Sequence, residues 1–84
     1  MGYTIGDGCD FYIIETKRFF VLVEWYNGSL YKGNKVRGEL HTYNFKYLTN
    51  LSKNNSKVKV WIVNYWNTKG RCFEWLIENE KCEF

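Results

Sequence analysis

The chain of 84 residues contains no alanine, no glutamine and no proline. Asn, Lys, Tyr, Phe and Ile stand in their place, together 36 of the 84 residues and all with AT-rich codons. This bias points to an AT-rich genome such as that of a phage or plasmid. No apolar run approaches the roughly 18 residues of a membrane-spanning helix, so no membrane association is expected. The opening "MGYTIGDGCD" has neither a basic segment nor a long apolar one, so it does not read as a signal peptide. Gly6 stands where a myristoylation motif requires Ser or Thr. Three cysteines, Cys9, Cys72 and Cys82, are odd in number and lack metal spacing. That usage fits a reduced, cytoplasmic setting.

Catalytic chemistry is equally thin. His41 is the only histidine, and nothing local orients it as a base for a nucleophilic cysteine. "GDGCD" brings Asp7, Cys9 and Asp10 together but supplies too few oxygens for a calcium loop, and its glycines read as a turn. "YKGNKVRG" is glycine-containing and basic, yet no helix opens after it as a phosphate cradle requires. Glu74, Glu78, Glu80 and Glu83 read as a solvated acidic edge. The expectation is a chain without metal, cofactor or enzymatic activity.

Aromatic side chains are abundant, at 20% of the residues. Each can bury about 150–250 Å², which helps a small single domain spanning residues 1–84 to build a core. "DFYIIET" and "FFVLVEWY" read as strands joined by a tight hairpin. In the second, Phe19, Val21, Val23 and Trp25 share one face, and Phe20, Leu22, Glu24 and Tyr26 the other. It reads as the central strand. Asn27-Gly28 signals a type I′ hairpin turn into a strand at Ser29–Lys32. "KGNK" turns again, and "VRGELH" is a short strand or extended connection.

"TYNFKYLTNLSKNN" has apolar residues three and four apart, with Thr42 as cap and Asn54 or Asn55 left-handed at the end. It predicts a short helix over about 43–53. The competing reading is a strand with Tyr43, Phe45 and Tyr47 on one face. "VKVWIVNYW" is a strand whose core face carries Val58, Val60, Ile62 and Trp66 with Asn64. Its other face carries Lys57, Lys59, Trp61, Val63 and Tyr65. Gly70 is placed for a hairpin bulge, and "RCFEWLIE" reads as a strand because its charges oppose a helix macrodipole. The fold class is β-rich α+β, an antiparallel sheet of four to six short strands with one helix. The alternative is an all-β, partly closed small barrel.

Charge is segregated. Residues 32–59 carry seven cations against Glu39, while residues 1–31 and 71–84 are each net acidic. Aromatics interleave with this basic block (Tyr31, Tyr43, Tyr47, Trp61, Tyr65). Tyr, Trp and Arg dominate protein–protein hot spots, and Lys or Arg beside aromatic rings also suits unpaired nucleic acid. The expected function is a small non-enzymatic binding protein, an inhibitor or accessory factor encoded by a phage or mobile element. Its expected contact residues are Tyr31, Lys32, Lys35, Arg37, Lys57, Lys59, Trp61 and Tyr65. The partner is expected to be a protein, with single-stranded nucleic acid as the alternative and a second copy of the chain as a further partner to test.

Overall fold

A computed structural model describes residues 2–8, 10–38 and 44–79, with backbone alone for residues 3–8. Its elements are β1 (Gly2–Gly8), β2 (Phe11–Glu15), β3 (Phe20–Asn27), β4 (Lys35–Arg37), β5 (Asn44–Asn50), β6 (Ser56–Trp66) and α1 (Lys69–Glu78). Every strand pair is antiparallel, and the order β1-β2-β3-β6-β5-β4 closes on itself. Five longer strands make a curled half-barrel. The three-residue β4 bridges its open side, pairing with Gly2 and Tyr3 of β1 and with Thr49 and Asn50 of β5. The fold is two three-stranded meanders joined through β3–β6 and β1–β4, so exchanging one meander for the other preserves the pairing scheme.

Alternation explains the interior. Ile14, Val21, Val23, Val36, Leu48, Val58, Val60 and Ile62 point into the barrel with Leu30, and Tyr12, Phe19 and Trp25 pack against them. The expected alternation along β3 and the core positions Val58, Val60 and Ile62 are therefore present. The β2–β3 hairpin is also present. Its turn is held by Thr16, whose hydroxyl accepts from the Phe19 N–H at 3.1 Å and donates to the Phe19 carbonyl at 2.8 Å.

The one helix among the described residues sits elsewhere than expected. Residues 44–50 form β5 because their alternation buries Leu48 and Asn50 inside while Phe45 and Tyr47 face out. Asn54 and Asn55 do adopt left-handed φ values of 55° and 57°, but in the turn between β5 and β6 rather than at a helix end. Thr42 and Tyr43 lie outside the described residues. "RCFEWLIE" is helical and Gly70 lies in the first turn of α1, not in a hairpin bulge. Cys72 and Leu76 bury themselves against Phe11, Ile13 and Leu22 on the outer side of β2 and β3, flanked by Phe73 and Trp75. Each misplaced charge costs α1 about 0.3–1 kcal/mol, whereas burying one leucine is worth about 1.5–3 kcal/mol. Packing overrides the dipole, and the helix, which has no side-chain N-cap, is held in place by its sheet contacts.

Three smaller expectations are corrected. Asn27-Gly28 does not open a hairpin: Gly28 has φ +96°, Asn27 has no positive φ, and residues 29–34 contain no strand. A type I′ turn needs positive φ at both positions. Instead β3 ends against β6, and the turn lies at 31–34, where Gly33 takes φ +90° and the Asn34 N–H bonds the Tyr31 carbonyl at 3.1 Å. The glycines of the N-terminal segment belong to strand β1, with a turn following at Asp10, where φ is 70°. Buried Asn50 ties two turns together. Its side-chain N–H groups donate to the Ser29 carbonyl at 2.8 Å and Asn34 Oδ1 at 2.9 Å, and its Oδ1 accepts from the Ser52 N–H.

Candidate partner-binding surface

The barrel leaves two outer faces to consider. α1 covers the one over β2 and β3. The other, over β3, β6, β5 and β4, stays open among the described residues. Val63 decides which side chains it presents. β3 pairs Leu22 with Asn64 but Val23 with Ile62, so Val63 is an extra residue on β6. A bulge of this kind reverses the alternation beyond it. Before it, Lys57, Lys59 and Trp61 face outward, as expected. After it, Trp66 joins the α1 cluster instead of the interior, and Tyr65 lies opposite interior Val21 with its ring 4.9 Å from Phe19. Val63 itself packs with the α1 cluster. The expected faces therefore hold up to Ile62 and are corrected from Val63 onward.

The register lays the open face out in three rows. The first is Glu24–Trp61–Phe45, the second Lys59–Tyr47, the third Lys57–Thr49–Arg37. Neighbouring strands lie about 4.8 Å apart, and same-face residues along one strand about 6.8 Å apart. Tyr26 occupies a second β3–β6 irregularity, between Trp25 and Asn27, and reaches across to Phe45. The ring centroids of Tyr26 and Phe45 are 4.8 Å apart at 78°, and those of Phe45 and Trp61 4.8 Å apart at 74°. The Lys59 ammonium sits 4.7 Å from the Phe45 centroid. The Lys57 ammonium donates to Thr49 Oγ1 at 2.7 Å. Tyr47 is 65% exposed, Tyr26 48%, Phe45 41% and Trp61 36%. The Tyr26 hydroxyl donates to the Glu24 carboxylate at 3.1 Å. Desolvation, then the hydrogen bond to Glu24 and its charge, raise the Tyr26 pKa, so it remains a donor at neutral pH.

The structure thus gathers Arg37, Lys57, Lys59 and Trp61 from the expected set on one face. Tyr31, Lys32 and Lys35 lie on the neighbouring turn into β4, where Tyr31 is 58% exposed and carries the Lys53 ammonium 5.4 Å from its ring centroid. That turn is fixed to the β5–β6 turn by the Leu51 N–H to Lys35 carbonyl bond and the Lys35 N–H to Ser52 hydroxyl bond. Tyr65 stands apart, on the other side of β6. Tyr26, Phe45 and Tyr47 were missed as contact residues, although Tyr47 stood among the aromatics interleaved with the basic block. The alternation of Tyr43, Phe45 and Tyr47 under the strand reading was the signal for Phe45.

Other candidate chemistry is sparse. No group of three metal-ligating side chains occurs among the described residues. His41, Cys9, Cys82, Glu80 and Glu83 lie outside them. A shallow, open groove of about 180 Å³ between Trp66, Arg71, Glu74, Trp75 and Glu78 is smaller than the usual ligand pocket of about 300–1,000 Å³. Cys72 is fully buried, and desolvation pushes its thiol up to about 11. Mapped by mass spectrometry, iodoacetamide at pH 8 is expected to leave Cys72 unlabelled in the folded chain and label it in urea. Fast labelling of the native protein would show that α1 does not stay docked.

No helix of the described residues is long and apolar enough to cross a membrane. No family model, curated protein or solved structure matches the chain.

Proposed function

We propose that this chain is a small, non-enzymatic binding module that grips a protein partner through the open outer face of β3, β6 and β5. The observation that carries this reading is the cluster of Tyr26, Phe45 and Trp61, locked edge to face yet exposed to solvent, with Tyr47 beside it. Rigid aromatic anchors bordered by cations are what hot spots are made of. Ordering them in advance lowers the entropy lost on binding. The bias toward amino acids with AT-rich codons supports an inhibitor or accessory factor of a phage or mobile element.

The test is affinity. A partner captured from cell extract and then purified is expected to bind Trp61→Ala and Tyr47→Ala about 2 kcal/mol more weakly than wild type, roughly 30-fold. Both variants should stay folded, since neither side chain belongs to the buried core. Tyr47→Ala should keep the wild-type urea midpoint, and Trp61→Ala should lose at least the roughly 0.5–1.5 kcal/mol of its edge-to-face pair with Phe45. Unchanged affinity in both would end the reading.

A second reading rests on Arg37, Lys57 and Lys59 standing beside exposed rings, an arrangement that single-stranded nucleic acid can use. It requires salt-dependent binding to random oligonucleotides, and no binding at about 50 mM salt would remove it.

A further inference from the structure

We infer that the partner presents an acidic surface, with carboxylates directed at Lys57, Lys59 and Arg37 and an apolar or aromatic side chain against Tyr47. The inference rests on the protein-binding reading above and adds the partner's chemistry. Its basis is how the cations are held. Lys57 is fixed by a neutral hydroxyl and Lys59 by a ring face, and neither meets a carboxylate among the described residues. Arg37 is exposed, and its side chain meets no partner among the described residues. Two of these positive charges are thus held in place, and none of the three is neutralised by a described carboxylate. The carboxylate in the three rows, Glu24, lies beyond Trp61 and accepts from the Tyr26 hydroxyl.

A face arranged this way attracts carboxylates without first having to break ion pairs of its own. The rings favour a protein over stacked bases. Phe45 stands at 78° to Tyr26 and 74° to Trp61, so these rings offer no parallel platform for consecutive bases, and the Lys59 ammonium already occupies a face of Phe45. Tyr47 is the most exposed ring of the cluster and the best placed for an incoming side chain.

Defined polymers test this. The folded chain is titrated with poly-glutamate, a glutamate–tyrosine copolymer, poly-lysine and oligo(dT), followed by tryptophan fluorescence and calorimetry. Expected is binding to the copolymer, weaker binding to poly-glutamate, none to poly-lysine and the weakest anion binding to oligo(dT). Lys57→Glu with Lys59→Glu should lower copolymer affinity on the order of tenfold. Lys57→Gln with Lys59→Gln should lower it less, and it controls for folding. Tyr47→Ala should erase the preference for the copolymer over poly-glutamate. Absence of copolymer binding, equal binding of poly-lysine, tighter binding of oligo(dT) or indifference to charge reversal would each overturn the inference. Loss of captured-partner affinity in Trp61→Ala alongside any of these results would leave the protein-binding reading standing. Unchanged affinity in both Trp61→Ala and Tyr47→Ala would end that reading itself.

Discussion

Gly28→Ala is expected to destabilise the fold by about 2–5 kcal/mol, while Gly33→Ala costs about 1–2 kcal/mol. The two glycines have nearly equal backbone angles, φ +96° and +90°. Either substitution pays the left-handed penalty of roughly 1–2 kcal/mol. They differ in what a methyl group would meet. At Gly33 nothing lies within 4 Å. At Gly28 a Cβ would run into the Lys57 carbonyl and lie 2.9 Å from the Val58 Cα, both backbone groups of β6 that cannot swing aside. Overpacking of that kind adds about 1–3 kcal/mol. The same spot receives the Trp25 indole N–H, which donates to the Gly28 carbonyl at 2.7 Å, so a shift there also disturbs the barrel interior. Against a total stability of about 5–15 kcal/mol, the Gly28 loss is large. Urea midpoints of the two variants give the comparison, and equal losses would mean that β3 and β6 do not approach so closely at this point.

Leu76→Asp is expected to unfold the domain or detach α1, whereas Ile77→Asp should stay within about 0.5 kcal/mol of wild type. The two positions are adjacent, yet Leu76 is fully buried and Ile77 is 64% exposed. A carboxylate at 76 would have to ionise among Phe11, Ile13 and Leu22, or remain protonated, with no described polar partner in that cluster. The milder Leu76→Ala should still cost about 2–5 kcal/mol through the cavity it leaves. Circular dichroism and urea unfolding measure both. The pair also separates two secondary structures. In a strand through residues 71–78, Phe73, Trp75 and Ile77 would share a face, and Ile77→Asp would be the harmful change. A stable Leu76→Asp with an unstable Ile77→Asp would refute the helix.

The candidate site was half legible. Lys57, Lys59 and Trp61 follow from alternation along β6, because that strand's core face is continuous from Val58 to Ile62. Phe45 and Tyr26 were hidden for different reasons. Phe45 sits where apolar spacings of three and four compete with spacings of two, and both patterns fit seven residues equally well. Tyr26 reaches Phe45 only because a register irregularity sets it beside β6. Tyr65 was misplaced because nothing in "WIVNYW" marks Val63 as the residue that will be doubled against β3.

By itself, the order of residues determined the β-rich class, the β2–β3 hairpin, the alternating core of β3 and β6 and the basic middle of the chain. Each depends on side-chain period or on charge, which are local properties. Tertiary structure decided which ambiguous segment became the helix, where β6 bulges and which half of the outer face stays open. Those outcomes depend on competition for one surface. The outer side of β2 and β3 had to be covered, residues 69–78 could cover it by coiling and residues 44–50 were needed as a strand to line the barrel, so burial overruled the unfavourable helix charges.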